Sequence, residues 1–253
     1  MKVQDCVVVF PDLHFPLHDE KAFKCALKVL KIIKPSAFLC LGDVAEGESV
    51  SHWKWKKKRR PPLEYQLPDI IKELKEVNSL FDRVDEACDK INVKNKIFTQ
   101  GNHEVWFDYF VEENPYLDQY GSRKALKIDE RGYDWYDYGI EFKILGSKLY
   151  AYHGGHWGGI NHTRSHVQNL GANIIYGHTH DAIKSVVTHL DGPKVAHSMG
   201  CLCSMDKEFL KNRPTNWTHN VGIIDIFTDG NFNINLLTII NGVTSLNGKI
   251  VKG

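Results

Sequence analysis

The feature that most constrains the fold is a pattern that recurs along the chain: a short apolar run that ends in a polar cluster containing Asp, Asn or His. The five clusters cover residues 12–14, 42–43, 101–104, 153–155 and 177–180. Apolar runs of this kind, bounded by turn residues, are typical of strands buried on both faces. In open α/β sheets, ligands bind outside the carboxyl ends of the strands. The pattern therefore predicts that side chains far apart in sequence meet at one edge of a sheet.

Between the apolar runs, hydrophobic residues recur at three- and four-residue steps, which is typical of amphipathic helices. One such segment covers residues 19–33, and Pro35 follows its end. A longer segment ends near residue 91, and because proline is favoured in the first turn of a helix, we predict that Pro68 opens it. Its predicted buried face consists of Ile70, Ile71, Leu74, Val77, Leu80, Phe81, Val84, Ala87 and Ile91.

The second half of the chain predicts further elements. Residues 140–145 and 148–153 have the pattern of a hairpin, and residues 162–170 have that of a helix. Apolar and polar residues alternate between turn signals over residues 183–253, which predicts antiparallel sheet. Residues 112–139 are rich in acidic residues, Tyr, Gly and Pro, and they give no ordered assignment.

Composition narrows the class of protein. The chain has 253 residues, 25% charged side chains and a formal net charge of +1, which suits a single α/β domain over residues 1–253. No apolar run reaches the roughly 18 residues of a membrane-spanning helix. The apolar start of the chain runs directly into Pro11 without a small-residue cleavage site. We therefore interpret it as a first strand rather than a signal peptide, and we expect a cytoplasmic protein.

The cysteines are scattered along the chain and do not form a C-x-x-C pair. A chain of this length does not need disulfides to fold, so we predict reduced and mostly buried thiols. Cys201 and Cys203 form a C-x-C pair that could bind a metal, although the spacing is not that of a zinc ribbon.

Taken singly, several of the polar clusters have structural explanations as good as functional ones. The D-x-H cluster at 12–14 and the G-D pair at 42–43 are also common turn chemistry, and the G-N-H-E cluster at 101–104 could begin a helix. The first and third residues of D-x-H would point to the same side if the backbone were extended, so both could reach one ion. The G-H-x-H cluster at 177–180 has the same spacing, and paired histidines in a short polar loop have few structural uses.

The order of the clusters carries more information than any single one. D-x-H, G-D, G-N-H-E, H-G and G-H-x-H follow one another between residues 12 and 180, and this series resembles the calcineurin-like metallophosphoesterase superfamily. The resemblance implies an α/β fold: a four-layer α/β/β/α sandwich of two packed mixed sheets, with a dinuclear metal site at the strand carboxyl ends. Residues 181–253 carry no motif of their own, and we expect them to form the second sheet of that fold.

The resemblance also implies a set of site residues. One metal would be held by Asp12, His14, Asp43 and His180, and the other by Asp43, Asn102, His153 and His178. His103 matches the catalytic histidine of the family, and Asp43 and Asn102 would also take part in catalysis. Imidazole and carboxylate ligands without thiolate suit Mn, Fe, Zn or Co rather than Ca. We expect two divalent ions, with Mn first and Fe, Zn, Co or Ni as alternatives.

The implied activity is hydrolysis of a phosphoester by a metal-activated hydroxide, with His103 as the general acid. The phosphoprotein phosphatases of the family share G-D-x-x-D-R-G and an arginine before G-N-H-E. Here residues 42–48 lack the Asp-Arg pair, and Gln100 stands in the arginine's place. These differences argue against a phosphoprotein phosphatase. Because His103 is intact and suits a poor alkoxide leaving group, and because residues 53–60 form a basic aromatic loop, we favour a phosphodiesterase that acts on nucleic acid or nucleotides. A phosphomonoesterase is the alternative, and a non-catalytic scaffold is a third reading.

Substrate contacts are the least specific prediction. Residues 54–60 form a basic tract beside Trp53, which either follows the phosphates of DNA, RNA or a nucleotide or is simply a solvated loop. From it we select Lys54 and Arg59 as substrate-binding candidates. His156 is a third candidate; like His162 and His166, it either lines the substrate side of the site or has a structural role. We expect no membrane contact and no obligate protein partner.

Overall fold

Two packed β-sheets form the centre of the protein. A computed structural model describes residues 2–56, 59–206, 210–211 and 213–253. Within these ranges, the first sheet contains six strands, the second contains five, and a separate hairpin lies near the C-terminus.

The helices are α1 (Glu20–Ile33), α2 (His52–Trp55), α3 (Leu63–Lys90), α4 (Asn102–Glu113), α5 (Ser122–Ala125) and α6 (His162–Leu170). The strands are β1 (Val3–Phe10), β2 (Ala37–Cys40), β3 (Asn95–Thr99), β4 (Tyr133–Tyr136), β5 (Phe142–Lys143), β6 (Leu149–Ala151), β7 (Asn173–Tyr176), β8 (Lys184–His189), β9 (Gly192–Ser198), β10 (His219–Phe227), β11 (Phe232–Ile239), β12 (Val243–Leu246) and β13 (Lys249–Lys252).

The first sheet has the strand order β11-β10-β1-β2-β3-β4. Strands β1 to β4 run parallel to one another, whereas β10 and β11 are antiparallel to their neighbours. The second sheet has the order β5-β6-β7-β9-β8, with β6, β7 and β9 parallel and the two outer strands antiparallel. Both sheets are therefore mixed, and each has a parallel centre.

The two faces of β1 enter different cores, because successive side chains of a strand point to opposite sides. Val8 and Phe10 pack in the cluster that contains the apolar faces of α1 and α3. Val7 and Val9 lie in a second cluster, which they share with Ile175 of the second sheet. This alternation explains why β1 is a continuous apolar run in the sequence: each of its faces is covered.

A third cluster covers the outer face of the second sheet, where Val167 of α6 packs with Ile174 and Tyr176. The layers are therefore helix, sheet, sheet and helix. This confirms the predicted α/β/β/α sandwich of two packed mixed sheets.

The C-terminal third of the chain divides between the two sheets, so the expectation that residues 181–253 form the second sheet was wrong. Strands β8 and β9 join the second sheet, but β10 and β11 extend the first sheet. β10 pairs antiparallel with β1 from Val3 to Val9, and both of its faces are largely buried. The alternation of apolar and polar residues identifies a strand, but the partner of a strand depends on which edge is left uncovered.

The longest described helix, α3, begins at Leu63, so the prediction that Pro68 opens it was wrong. Leu63 and Leu67 pack against the core, which stabilises a turn before the proline. Because Pro68 lies near the start of the helix, its missing N–H removes only one backbone hydrogen bond. None of the described helices, α3 included, is both long and apolar enough to cross a membrane.

The segment that the sequence left unassigned, residues 112–139, is ordered. It contains the end of α4, a 3-10 turn at Pro115–Tyr120, α5 and the edge strand β4, which pairs parallel with β3. The predicted hairpin that follows is confirmed but shorter, because β5 has two residues and a 3-10 turn at Ile144–Gly146 precedes β6. Elements this short bury too little apolar surface to leave a periodic pattern in the sequence.

We predict that two adjacent isoleucines of α3 contribute very differently to stability. Ile70 is fully buried, whereas Ile71 is 48% exposed, although both belonged to the predicted apolar face. Ile70→Ala should lower the free energy of unfolding by about 2–5 kcal/mol, because it leaves a cavity in the core. Ile71→Ala should lower it by less than about 0.5 kcal/mol. Urea unfolding followed by circular dichroism measures both, and equal losses would contradict the burial of this helix.

Candidate metal centre

The five polar clusters lie at the carboxyl ends of five strands. In the first sheet, β1, β2 and β3 lead into the loops that carry Asp12, Asp43 and Asn102. In the second sheet, β6 and β7 lead into the loops of His153 and His178. Because neighbouring strands within each set are parallel, their carboxyl ends lie at the same edge of the sheet. The packing of the two sheets then places the two edges side by side.

Left-handed backbone conformations recur in these loops. The φ angles are 41° at Asp12, 50° at His14, 48° at Asp43, 65° at His178 and 61° at His180. Non-glycine residues adopt such angles at a cost of about 1–2 kcal/mol each, and strained residues of this kind cluster at active sites and ligand clamps. The expectation that D-x-H converges because its backbone is extended was therefore wrong. Left-handed turns bring the two side chains together instead, held by the hydrogen bond from the N–H of His14 to the carbonyl of Asp43 at 2.8 Å.

The first group of donor atoms comes from Asp12, His14, Asp43 and His180, whose side chains are all buried. The Nε2 atoms of His14 and His180 are 3.1 Å apart. Nε2 of His180 is 3.2 Å from Oδ1 of Asp12, and Nε2 of His14 is 3.7 Å from Oδ2 of Asp43. Two imidazole nitrogens facing each other between two carboxylates form a donor set that a divalent cation satisfies.

The second group comes from Asp43, Asn102, His153 and His178. Nε2 of His153 is 3.2 Å from Oδ2 of Asp43 and 3.2 Å from Oδ1 of Asn102. The same amide oxygen is 2.7 Å from Nδ1 of His178. Asp43 thus belongs to both groups, as expected of a ligand that bridges two ions. The structure brings together the seven predicted ligands in the predicted two sets, and the donor chemistry fits divalent metal ions.

In three of the four imidazoles, the second nitrogen also has a close neighbour, and such neighbours orient metal-binding rings. Nδ1 of His14 is 3.0 Å from Oε2 of Glu46. Nδ1 of His153 donates to the carbonyl of Leu41 at 2.8 Å. For His180, the neighbour of Nδ1 is the Sγ of Cys203 at 3.7 Å. The second nitrogen therefore lies beside a carboxylate in one ring, a carbonyl in another and a sulfur in the third.

Glu104 ties two of the loops together. Its side chain is fully buried, and its carboxylate accepts the backbone N–H of Gly101 at 2.8 Å, of Asp43 at 2.9 Å and of Ala45 at 3.0 Å. Burial, and then the charge of Asp43, raise its pKa to about 7. The sequence could not place this residue, and the structure shows that it anchors the loop after β2 to the start of α4. Gly101 permits the approach, because a Cβ at this position would collide with the Asp43 side chain.

His103 lies beside the shared carboxylate. Its backbone N–H donates to Oδ1 of Asp43 at 2.9 Å, and its Nδ1 is 2.5 Å from the carbonyl of Glu46. Because a carbonyl only accepts, Nδ1 carries the hydrogen, and Nε2 points toward Oδ2 of Asp43 at 3.9 Å. Trp106 packs against the ring, with 4.0 Å between centroids. Burial lowers the pKa of His103 to about 4, against the opposing charge of Asp43.

A buried polar network supports the loop that carries His178 and His180. The carboxylate of Asp181 accepts hydrogen bonds from Ser198 at 2.7 Å and from Thr179 at 2.8 Å. Its other oxygen is 2.9 Å from Nε2 of His162, whose Nδ1 is 2.7 Å from the hydroxyl of Tyr176. His162 is therefore a structural residue that orients this loop. His166 is also buried, with its Nδ1 2.7 Å from the carbonyl of His162 and its ring stacked on that of Tyr176.

Three side chains are the predicted substrate contacts: Lys54, His156 and Arg59. Lys54 forms an ion pair with Glu48 at 2.8 Å and lines the same cavity as Glu46. His156 pairs with Glu141 at 3.0 Å on the surface. Arg59 is exposed before α3. Residues 57–58 of the basic tract lie outside the described part of the chain.

Sequence reasoning missed two supporting residues, Glu46 and Asp181, and considered Cys203 only as a possible metal ligand. Glu46 and Asp181 have a local signal, since each is an acidic residue within three positions of a predicted ligand. Cys203 belongs to the C-x-C pair, whose contact with His180 spans 23 residues and leaves no local signal. All cysteines are free thiols in the structure, as predicted, and Cys203 is fully buried.

The charges of the centre are strongly coupled. Burial lowers the pKa of His153, but the charge of Asp43 and its hydrogen bond outweigh burial and raise that pKa to about 9. Burial raises the pKa of Asp43, but the charges of His153 and His103 outweigh it and hold the pKa well below its usual range. His178 has its pKa lowered to about 4, first by burial and then by the charge of His153. At neutral pH the protein therefore keeps a proton on His153 and none on His178.

Comparison with known proteins adds two findings. Residues 7–220 match the model of the calcineurin-like phosphoesterase family. No curated protein matches the sequence of this chain.

Solved structures also resemble this one. Vps29 from Chaetomium thermophilum aligns with a TM-score of 0.42 and 10% identity, over 92% of this chain and 97% of its own. The phosphoesterase YfcE from E. coli aligns with a TM-score of 0.40 and 16% identity, over 91% of this chain and 98% of its own.

We predict that metal binding tightens as the pH rises. The raised pKa of His153, about 9, means that its Nε2 holds a proton at neutral pH, and a metal ligand must lose that proton. Between pH 6 and 8, the affinity for Mn²⁺ should therefore rise about tenfold per pH unit for each proton displaced. Calorimetry in buffers of different ionisation enthalpy counts the protons released. A pH-independent affinity without proton release would contradict the pairing of His153 with Asp43.

We predict that Glu104→Gln destabilises the protein. An amide has one acceptor oxygen and turns its NH₂ toward N–H groups that the carboxylate now accepts. Leaving a buried donor unpaired costs about 1–3 kcal/mol, and urea unfolding should show a loss of that size. Glu112→Gln, on the exposed side of the same helix, is the matched control and should change stability by less than about 0.5 kcal/mol. If the two variants unfold alike, Glu104 does not anchor the loops.

Proposed function

The chain belongs to the calcineurin-like phosphoesterase family, and on that premise we propose that it hydrolyses phosphodiester bonds in nucleotides or nucleic acid. Metal-dependent hydrolysis of phosphoesters is the activity of the family, and the His/Asp cluster of this chain suits it. The observation that carries the proposal is the position of Asp43. It is shared by both donor groups, and Nε2 of His103 lies 3.9 Å from Oδ2 of Asp43, the oxygen that also faces His14 and His153.

Two divalent ions would be held by the two donor groups, with Mn²⁺ as the first candidate and Fe, Zn, Co or Ni as alternatives. When bound, such ions act as Lewis acids toward phosphoryl oxygens and lower the pKa of water. The protein supplies the geometry: Asp43 sets the spacing of the two groups, and Asn102 contributes a neutral oxygen to one of them. Glu46 and Leu41 hold the rings of His14 and His153 in orientation.

His103 is positioned to give a proton to the leaving oxygen. Its Nδ1–H is engaged by the carbonyl of Glu46, and Trp106 restricts the ring, so Nε2 is the atom that faces the reaction. Burial holds the pKa of this ring at about 4 in the protein alone. A phosphoester anion beside Nε2 adds negative charge and raises that pKa, which couples substrate binding to protonation. General acids of this kind contribute about 10²–10⁴-fold to the rate.

The neutral residue before G-N-H-E favours a diester over a monoester. Gln100 is buried, and its amide donates to Asp108 at 2.5 Å and to Ser122 at 3.1 Å, while its oxygen accepts the N–H of Tyr138 at 3.0 Å. The phosphoprotein phosphatases of the family that this sequence resembles have an arginine at this position. A monoester carries close to two negative charges at neutral pH, whereas a diester carries one. A site without this cation is better matched to the diester.

Aromatic rings at the rim of the centre support a nucleotide as the substrate. Trp106 and Trp217 are half-buried and pack against His103 and His180, with 4.0 and 4.3 Å between centroids. Tyr138 is half-buried near His153, at 6.1 Å. Each ring has area left to stack on a base, and stacking is worth about 1–3 kcal/mol per base. A nucleotide or nucleic-acid partner and a cytoplasmic location are parts of the same proposal.

We predict that the protein, stripped of metal and restored with Mn²⁺, turns over an aryl phosphodiester faster than the matching monoester. Asp43→Asn should abolish turnover of both. His103→Ala should reduce turnover of a dinucleotide by about 10²–10⁴-fold but reduce that of the aryl ester less, because an aryl oxide leaves without a proton. His197→Ala, on β9, serves as the matched histidine control and should retain activity.

The outcomes separate the alternatives. Turnover of monoesters alone would retain the family activity and overturn the diesterase proposal. Failure to turn over either ester with any of the five candidate metals would favour a scaffold.

A further inference from the structure

A metal-bound histidine depends on both ring nitrogens. When one nitrogen binds the metal, the other carries a hydrogen, and its acceptor fixes the tautomer and the orientation of the ring. In most proteins that acceptor is a carboxylate, a backbone carbonyl or a water. In this chain, His153 follows that rule, since its Nδ1 donates to the carbonyl of Leu41, and Nδ1 of His14 lies 3.0 Å from a carboxylate oxygen of Glu46. His180 does not follow that rule, because the neighbour of its outer nitrogen is a sulfur.

The orientation of His180 is defined by both of its nitrogens. Nε2 faces the donor group, at 3.2 Å from Oδ1 of Asp12 and 3.1 Å from Nε2 of His14. Nδ1 points away from the group, and Sγ of Cys203 lies 3.7 Å from it. This separation is within the range of a hydrogen bond to sulfur, which is longer than one to oxygen. His180 is only 7% exposed and Cys203 is fully buried, so bulk water does not compete for Nδ1.

The position of Cys203 is fixed by the backbone around it. The N–H of Leu202 donates to the carbonyl of Asp12 at 3.0 Å, which ties the C-x-C segment to the D-x-H loop. The carbonyl of Cys203 is 2.8 Å from Nε2 of His219. These contacts hold the backbone of Cys203 in place beside His180. Trp217 packs against the His180 ring and leaves it little freedom to turn.

We propose, resting on the metal centre of the proposed function, that Cys203 is a positioning residue: its sulfur accepts the Nδ1–H of His180 and keeps Nε2 directed at the metal. Its sulfur also lies within 4.8 Å of a ring nitrogen of His14, but we assign it to His180, whose Nδ1 is 3.7 Å away, and not to direct metal binding. Because it serves the group of Asp12, His14, Asp43 and His180, it tunes one of the two ions. Asn102, His153 and His178, which complete the other group, do not depend on it.

The test is the affinity of the whole protein for Co²⁺, followed by its visible absorption and by competition with a chelator. Cys203→Ala removes the acceptor and should weaken one of the two binding events by about 10- to 100-fold while leaving the other nearly unchanged. Cys203→Ser keeps an acceptor, so it should recover part of that loss and alter the absorption of the weaker site. Cys88→Ala removes another buried thiol, far from the centre on α3, and should leave both affinities unchanged.

A double-mutant cycle shows whether Cys203 acts through His180. In a His180→Ala background, the additional change Cys203→Ala should cost no further affinity, because the ring that it orients is gone. Additive losses would overturn the proposal, as would a Cys203→Ala protein that binds both ions like the parent. Thermal unfolding without metal identifies a variant that has lost its fold, and Cys203→Ser then carries the comparison.

Failure of this inference is distinct from failure of the proposed function. A parent protein that binds two Co²⁺ ions and hydrolyses a diester, with Cys203 variants of unchanged affinity, overturns the role of Cys203 alone. A parent protein that binds no metal overturns both.

Discussion

The metal centre depends on buried carboxylates that accept backbone N–H groups from neighbouring loops. Glu104 accepts three such groups and joins the loop after β2 to the start of α4. Asp43 accepts the N–H of His103, and Asp12 accepts that of His178 at 3.0 Å across the two sheets. Burying charges of one sign is costly unless they are hydrogen-bonded and neutralised. The same carboxylates that order the loops therefore create the negative potential that histidine cations or bound metal ions must satisfy.

This arrangement explains why strained backbone persists at the site. Asp12, Asp43 and His178 have left-handed backbone angles here. In a free loop, these residues would favour other conformations. Each is held by a hydrogen bond to a loop from another strand, so one residue cannot relax without breaking contacts with its neighbours. The loops of Asp12 and His178 also approach each other closely, because a Cβ on Gly177 would collide with the Asp12 carboxylate. The sheets hold the ends of the loops in place, and the loops adopt the strained conformations that bring the donor atoms together.

The residues around the ligands add properties to those of the donor groups. Family membership accounts for the donor groups and for phosphoester hydrolysis. The neutral Gln100, the tryptophans against His103 and His180, and the sulfur behind His180 are properties of this sequence. They change the charge offered to a phosphate, the surface offered to a leaving group, and the orientation of one ring. Substrate preference is therefore expected to depend on these residues more than on the ligands themselves.

The sequence determined the strands that deliver the site and the ligands that they carry. Buried parallel strands such as β1 and β2 are continuous apolar runs, and Asp12 and Asp43 follow them directly, so both signals are local. The tertiary structure decided the rest. It assigned β10 to the first sheet, because the uncovered edge of β1 was the available partner. It also revealed the roles of Glu104 and Cys203, because these lie in contacts between segments distant in sequence. Periodicity and motifs reflect interactions between residues that are close in sequence. A hydrogen bond across two sheets forms only once the chain has packed.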